Sequence, residues 1–405
     1  MQPFSVFLFT LWDSLVSWSQ PWLPFGLGRR SNIPQFILDA RHPWIEANRQ
    51  ELERTPDVAA YLCQVDPAFY IDNAIPPNLF QRLEINNNRA GIDRYGWGNA
   101  LERLREIQSC PPALEGVETL DVDIFVHEGQ EPENPSLDFV NLLADVLTSM
   151  PNLRAIVWDM PCKQTPLFGE AFTSRDLKLR SVRNLTAGPF SEYLVPLCPN
   201  LETVTYSPKA WHCDWHVRRE RPCPRELLIK ATTGNKDLTS FSMSVGSGIW
   251  SLDFLKEMLS AMPNLSHLAI SGPLRVDGLG SSDERVLKRY LEVLARFTNL
   301  RHLELPGTDD LALGFYGWAD CGNAYFGAQG REYGRRTAKE SAMTAEKAGL
   351  IAIEALPDLV NLSIGGSEAN VTRVDGAVEL SWPWTGRMDE WAYDIFPDRD
   401  DREEL

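Results

Sequence analysis

The sequence predicts an α/β solenoid with a parallel sheet on its concave face and helices on its convex face, and three observations predict it. A short frame recurs along the chain, clearest in Met150-Pro-Asn-Leu-Arg-Ala-Ile-Val-Trp158, Cys198-Pro-Asn-Leu-Glu-Thr-Val-Thr-Tyr206, Met262-Pro-Asn-Leu-Ser-His-Leu-Ala-Ile270, Phe297-Thr-Asn-Leu-Arg-His-Leu-Glu-Leu305 and Leu356-Pro-Asp-Leu-Val-Asn-Leu-Ser-Ile364. Apolar residues recur at helical spacing ahead of several copies. Between helix and strand stands a Pro-Asn or Pro-Asp step, which stops the helix because proline disfavours helical geometry in the residue before it and lacks an N–H. Each unit therefore reads as helix, tight turn, short strand. No unit can cover its own apolar stripe, so stacking in series buries it and aligns the strands.

Four fainter copies begin at Phe80, Val117, Val182 and Leu238. The shared Leu-x-x-apolar-x-apolar is the core of a leucine-rich repeat, and the copy at Phe80 ends in Asn88, as the longer form of that repeat does. Successive copies start as close as Val182 and Leu201 and as far apart as Leu300 and Leu359. Most units thus exceed the usual period of roughly 20 to 29 residues. The helical runs explain the length: Phe139 to Met150, Leu252 to Met262, Val286 to Phe297, and Thr337 to Leu356.

The solenoid is expected over residues 80–366, with an insertion at 307–336. Residues 41–79 read as a helical N-terminal cap, with Trp44, Ile45, Leu52, Val58, Tyr61 and Leu62 at roughly helical intervals, because solenoid ends need covering. Residues 1–40 begin with an apolar segment that lacks the basic start of a secretory signal and is broken by Asp13, Pro21 and Pro24, which also argues against a spanning helix. Residues 367–405 read as a C-terminal cap and a solvated acidic tail.

Composition narrows the partners. A formal net charge of −17 disfavours nucleic acid and anionic membrane, both of which demand a positive footprint. Seven irregularly spaced cysteines do not form a disulfide framework, and Cys198 occupies a slot held elsewhere by Met150, Met262 and Phe297, as a small buried hydrophobe would. This usage points to an intracellular, cytoplasmic or nuclear, setting. Sequons at Asn184, Asn264, Asn361 and Asn370 fall mostly inside the frame and carry little weight for secretion.

Side chains alternate along a strand, so frame positions 2 and 4 face the concave side. Candidate partner-binding residues there are Thr203, Thr205, Ser240, Ser242, His267, His302, Glu304 and Asn361. His267 and His302 are expected as lateral neighbours on adjacent strands, with Glu304 close by. The glycine-rich stretch Gly307 to Gly334 reads as a flap presenting Tyr316, Trp318 and Tyr325, and basic residues Arg331, Arg335, Arg336 and Lys339 follow. It lacks the Gly-Lys-Ser/Thr of a phosphate loop. His212, Cys213, His216 and Cys223 match no standard zinc spacing, and Ser244-Val-Gly-Ser-Gly248 misses the Gly-x-Ser-x-Gly elbow. No catalytic residue, cofactor or metal is expected.

With its Pro-Asn-Leu turns and long helices, the repeated frame resembles the irregular repeats of fungal F-box/leucine-rich-repeat proteins. That resemblance implies a substrate-holding repeat domain and, in the N-terminal part, an F-box that docks a Skp-type adaptor of a cullin ubiquitin ligase. Here the nearest stretch, Ile33-Pro-Gln-Phe-Ile-Leu-Asp39, lacks the acid of the F-box opening. The expected function is a non-enzymatic protein-binding scaffold; the alternatives are a ligase substrate receptor, or a membrane-tethered or secreted repeat protein.

Overall fold

In the computed structural model of the chain, residues 81–86, 97–108, 111–124, 134–207, 223–243, 250–274, 284–315, 317, 322–374 and 377–398 are described. Among the described residues, eleven strands form one open sheet in chain order. They are β1 (Arg82–Asn86), β2 (Thr119–Asp123), β3 (Ala155–Asp159), β4 (Asn184–Ala187), β5 (Thr203–Tyr206), β6 (Ser240–Met243), β7 (His267–Ile270), β8 (His302–Leu305), β9 (Asn361–Ile364), β10 (Ser367–Val374) and β11 (Ala377–Ser381). Strands β1 to β9 are parallel; β10 and β11 run antiparallel to their neighbours and end the sheet. The helices are α1 (Trp97–Gln108), α2 (Pro111–Gly116), α3 (Leu137–Thr148), α4 (Thr165–Ser174), α5 (Pro224–Ala231), α6 (Leu252–Ala261), α7 (Glu284–Leu294), α8 (Gly327–Ala355) and α9 (Met388–Ile395), with 3-10 turns η1 (Glu192–Leu197) and η2 (Gly322–Tyr325). The architecture is mixed α/β and solenoid-like.

Each of the nine parallel strands begins at frame position 2. One carbonyl per unit fixes this register by accepting two N–H groups of the next strand: Glu118 O from Arg154 and Ala155, Arg183 O from Glu202 and Thr203, Thr239 O from Ser266 and His267, Ser266 O from Arg301 and His302. The frame asparagine adds a second tie. Asn152 Nδ2 donates to Glu115 O and Asn200 Nδ2 to Arg180 O, each at 2.8 Å, and Asn264 Nδ2 reaches Lys236 O at 3.4 Å. Pro-Asn thus does more than stop the helix; it joins each turn to the one before.

Strands β5, β6 and β8 alternate half-buried and buried residues, and the buried set shares one core with the helices. Leu153, Leu201, Leu265, Leu300 and Leu359 sit at the strand entrances in that same core, none more than 3% exposed. Helices pack side by side over this face, α5 on α6, α6 on α7, α7 on α8. Ser136 and Ser251 cap α3 and α6, their hydroxyls accepting the N–H of Phe139 and Phe254, as residues with a free first turn to satisfy require. Rings fill the core between α3, α4 and β3: Phe168 meets Phe139, Trp158 and Phe172 edge-on with centroids 5.9 to 6.1 Å apart. Cys198 is fully buried, and its thiol is pushed up to about 12 by that burial.

Three expectations change. The helix expected from Thr337 starts ten residues earlier, at Gly327, so the insertion is shorter than 307–336. Gly330 and Gly334 are not loop residues but close-approach positions: a Cβ on Gly330 would lie 2.5 Å from the Tyr325 carbonyl carbon, and one on Gly334 would lie 2.8 Å from the Phe396 ring. The acidic end expected as solvated from Asp389 carries most of α9 and is described as far as Asp398, while β10 and β11 form within the stretch expected as a C-terminal cap. The C-terminal tryptophans pack inward, Trp382 on Trp384 at 5.2 Å and Trp384 on Trp391 at 4.8 Å, with Trp384 Nε1 donating to Glu346. The segments 1–40 and 41–79 lie outside the described residues. Among the described residues no helix is long and apolar enough to cross a membrane.

Candidate functional site: the outer face of the sheet

The helices leave the opposite face of the sheet to two columns of side chains. Because register is unbroken, one column reads Thr203, Ser240, His267, His302 and Asn361, and its companion reads Thr205, Ser242, Ala269, Glu304 and Ser363. All the expected face residues, Thr203, Thr205, Ser240, Ser242, His267, His302, Glu304 and Asn361, therefore come together on one surface. Each is half-buried or exposed and is followed by a buried residue that points to the core.

At its centre the imidazoles of His267 and His302 stack, ring centroids 5.4 Å apart and planes 17° from parallel. Direct pairing of the two residues in register forces this, since the strand spacing of ~4.8 Å nearly equals a stacking distance. Partial burial holds the His267 pKa below its ordinary value; the neighbouring His302 lowers it further, while Glu304 works in the opposite direction. Stacking turns the ring faces, not the nitrogens, toward one another. Among the described residues no three His, Cys, Asp or Glu side chains are grouped to hold a metal. Cys223 stands at the N-cap of α5, while His212, Cys213 and His216 lie outside the described residues.

The ends of the face are charged. Arg82 on β1 pairs with Asp121 on β2 at 2.8 Å and with its own strand neighbour Glu84 at 3.4 Å. At the other end the antiparallel strands extend the surface beyond the residues expected from the sequence. Glu368 pairs in register with Ser363 and Asn370 with Asn361, so they share its side, and Thr372 with Glu379 continues it. The Asn361 amide donates to the Glu368 carboxylate. The sequence does signal this extension: Asp375-Gly376 between two alternating runs is a strong hairpin pattern.

Of the expected flap residues, Tyr316 and Trp318 lie outside the described residues. Tyr325 closes η2 and stacks on Phe396 at 5.6 Å, with Tyr333 at 5.7 Å. Its ring stands at the junction between α8 and the C-terminal segment.

No protein-family model matches the chain, and no curated protein matches it. The outer face offers hydroxyl, amide and imidazole groups on a backbone fixed by hydrogen bonds from both sides. Chemically, it can present several donors and acceptors at once to an extended surface.

Proposed function

We propose that this chain is a non-enzymatic, intracellular protein-binding scaffold, an irregular leucine-rich-repeat solenoid that grips a protein partner on the concave outer face of its sheet. The observation that supports it is the unbroken register of β1 to β9, which aligns the outer-face side chains into two columns, mostly polar from β4 to β9 and charged at β1 and β2. Eight strand intervals at ~4.8 Å give a platform of about 38 Å, long enough for a standard interface of about 800 Å² per partner. Backbone hydrogen bonds hold the contact residues before binding, which limits the ordering cost on association. The likeness to fungal F-box/leucine-rich-repeat proteins concerns the repeat region; adaptor docking would fall on residues 1–75, outside those described.

The test is capture with site-directed crosslinking on the full chain, followed by affinity measurement with the partner so identified. Replacing His302 and Glu304 together by alanine is expected to weaken that partner at least tenfold, about 1.4 kcal/mol. Replacing Lys256 and Glu257 on α6, on the helical side, is expected to leave it unchanged. Unaltered affinity in the first variant, or crosslinks confined to the helices, refutes the reading.

A further inference from the structure

The chain is strongly acidic, yet the first half of α8 concentrates Arg331, Arg335, Arg336 and Lys339. Three of these four meet the C-terminal segment. Asp398 receives Arg335 Nη2 at 2.5 Å and lies 3.9 Å from Arg331 Nε, and Asp389 meets Lys339 Nζ at 2.5 Å. Arg335 Nε also donates to the Phe396 carbonyl at 2.9 Å, and its guanidinium lies 4.3 Å from the Tyr393 ring centre. The Tyr393 hydroxyl closes the set by donating to Asp398 at 2.7 Å. Between the charges, the Phe396 ring fills the space that Gly334 leaves open and stacks on Tyr325.

The two sides of this contact are unequal. Helix α8 belongs to the body of the fold, with Ala342, Ala345, Ala348, Ile351 and Ala352 in the core. Of α9, only Ala392 is buried, and Tyr393 and Ile395 remain 45% and 44% exposed. The Arg335 side chain is only 16% exposed, whereas the Asp398 and Asp389 carboxylates that reach it and Lys339 are 61% and 91% exposed. Ion pairs with such exposed partners contribute little each and are screened by salt. The cationic residues thus stand on a helix anchored in the core, and the acidic segment meets them through exposed carboxylates.

We propose that the basic and aromatic face of α8 (Tyr325, Arg331, Gly334, Arg335, Lys339) is a docking groove for an acidic, aromatic peptide segment of a partner, and that α9 fills it in cis as an autoinhibitory clasp. The chain's own segment seated there gives the chemistry of the guest: carboxylates at the positions of Asp389 and Asp398, an aromatic ring beneath Arg335, and a phenyl-sized group over Gly334. This reading is independent of the outer sheet face, which α9 does not touch in any of these contacts. A guest in trans must wait for the open fraction, so its apparent dissociation constant is the intrinsic one divided by that fraction.

The probe is a fluorescein-labelled peptide with the sequence of residues 387–398, titrated against the full chain, with a scrambled peptide as control. In the triple variant Asp389→Ala, Phe396→Ala, Asp398→Ala, binding is expected to tighten at least tenfold over the parent chain, and adding Arg335→Glu is expected to abolish it. Hydrogen exchange is expected to show the α9 amides released in the triple variant while those of residues 342–353 stay protected. Equal affinity for parent and triple variant, equal binding of the scrambled peptide, or undiminished α9 protection overturns the proposal. So does a concentration-dependent dimer of the triple variant that excludes the peptide, which would make a second copy the guest. Should the triple variant not fold, the parent chain decides: raising salt from 50 to 500 mM is expected to speed α9 exchange selectively, and no change overturns the clasp.

Discussion

Two alanine substitutions seven and three residues into α8 separate packing from propensity. In a helix interior, Gly→Ala gains about 1 kcal/mol from propensity alone, so both Gly330→Ala and Gly334→Ala would stabilise an isolated helix. The surroundings decide otherwise. At Gly330 the new methyl would lie 2.5 Å from the Tyr325 carbonyl carbon and 2.8 Å from the Ala324 oxygen, both backbone atoms of η2, which must then shift as a unit. Overpacking of this kind costs about 1–3 kcal/mol or more, so the net effect is a loss of up to about 2 kcal/mol. At Gly334 the obstacle is the Phe396 side chain at 2.8 Å, and that ring can swing away with α9. Gly334→Ala is therefore expected to leave the melting temperature within about 2 °C of the parent and to free α9. Gly330→Ala is expected to lower melting by several degrees, on the scale of about 2–4 °C per kcal/mol. Calorimetry with hydrogen exchange checks both. A raised melting temperature for Gly330→Ala, or equal losses in the two variants, would refute the close-approach reading of these glycines.

Leu268→Ala on β7, at a fully buried position, is expected to cost about 2–5 kcal/mol through lost transfer energy and a residual cavity. Because units of a stacked array contact mainly their neighbours, the loosening seen by hydrogen exchange should centre on β6 to β8 and spare β2 and β3; uniform loosening counts against a linear array. His267 titrates below its ordinary value, chiefly through burial and then through His302. The unfolded chain therefore takes up this proton first as pH falls below ~6.5, and the fold loses stability down through the folded pKa. NMR titration is expected to show that midpoint rising in His302→Ala, and an unmoved midpoint would contradict the coupling.

Strand placement was readable because each unit buries the same frame positions, so nine weak signals reinforce one another. The hydrogen-bonded order of the strands and the His267–His302 pairing then follow from the frame, since successive units are neighbours. What escaped reading obeys different physics. Glycines in Gly307 to Gly334 suggest a loop when taken singly, and only the position of Phe396, far along the chain, shows why Gly334 is small inside a helix. The clasp joins Arg335 to Asp398 across 63 residues, a separation at which opposite charges in a sequence give no hint that they meet. The hairpin of β10 and β11 is signalled only by Asp375-Gly376 and the alternation of Glu368, Ala369, Asn370 and Val371, outside the repeated frame.

The irregular period has a structural resolution that bears on binding. Between β4 and β5 the chain returns through the short η1, whereas between β8 and β9 it uses the 29-residue α8, yet both pairs hold the same register on the sheet. The difference in length between these two returns is thus absorbed away from the sheet, and loop closure grows only slowly more costly with length. The shared carbonyl that accepts two N–H groups cannot tolerate a slip, because moving one strand by a residue would turn its buried leucines outward. A continuous sheet surface can therefore coexist with returns of very different length behind it. The groove on α8 has that origin: it lies on the longest of these returns, where the first turns of the helix pack on η2 and on the C-terminal segment.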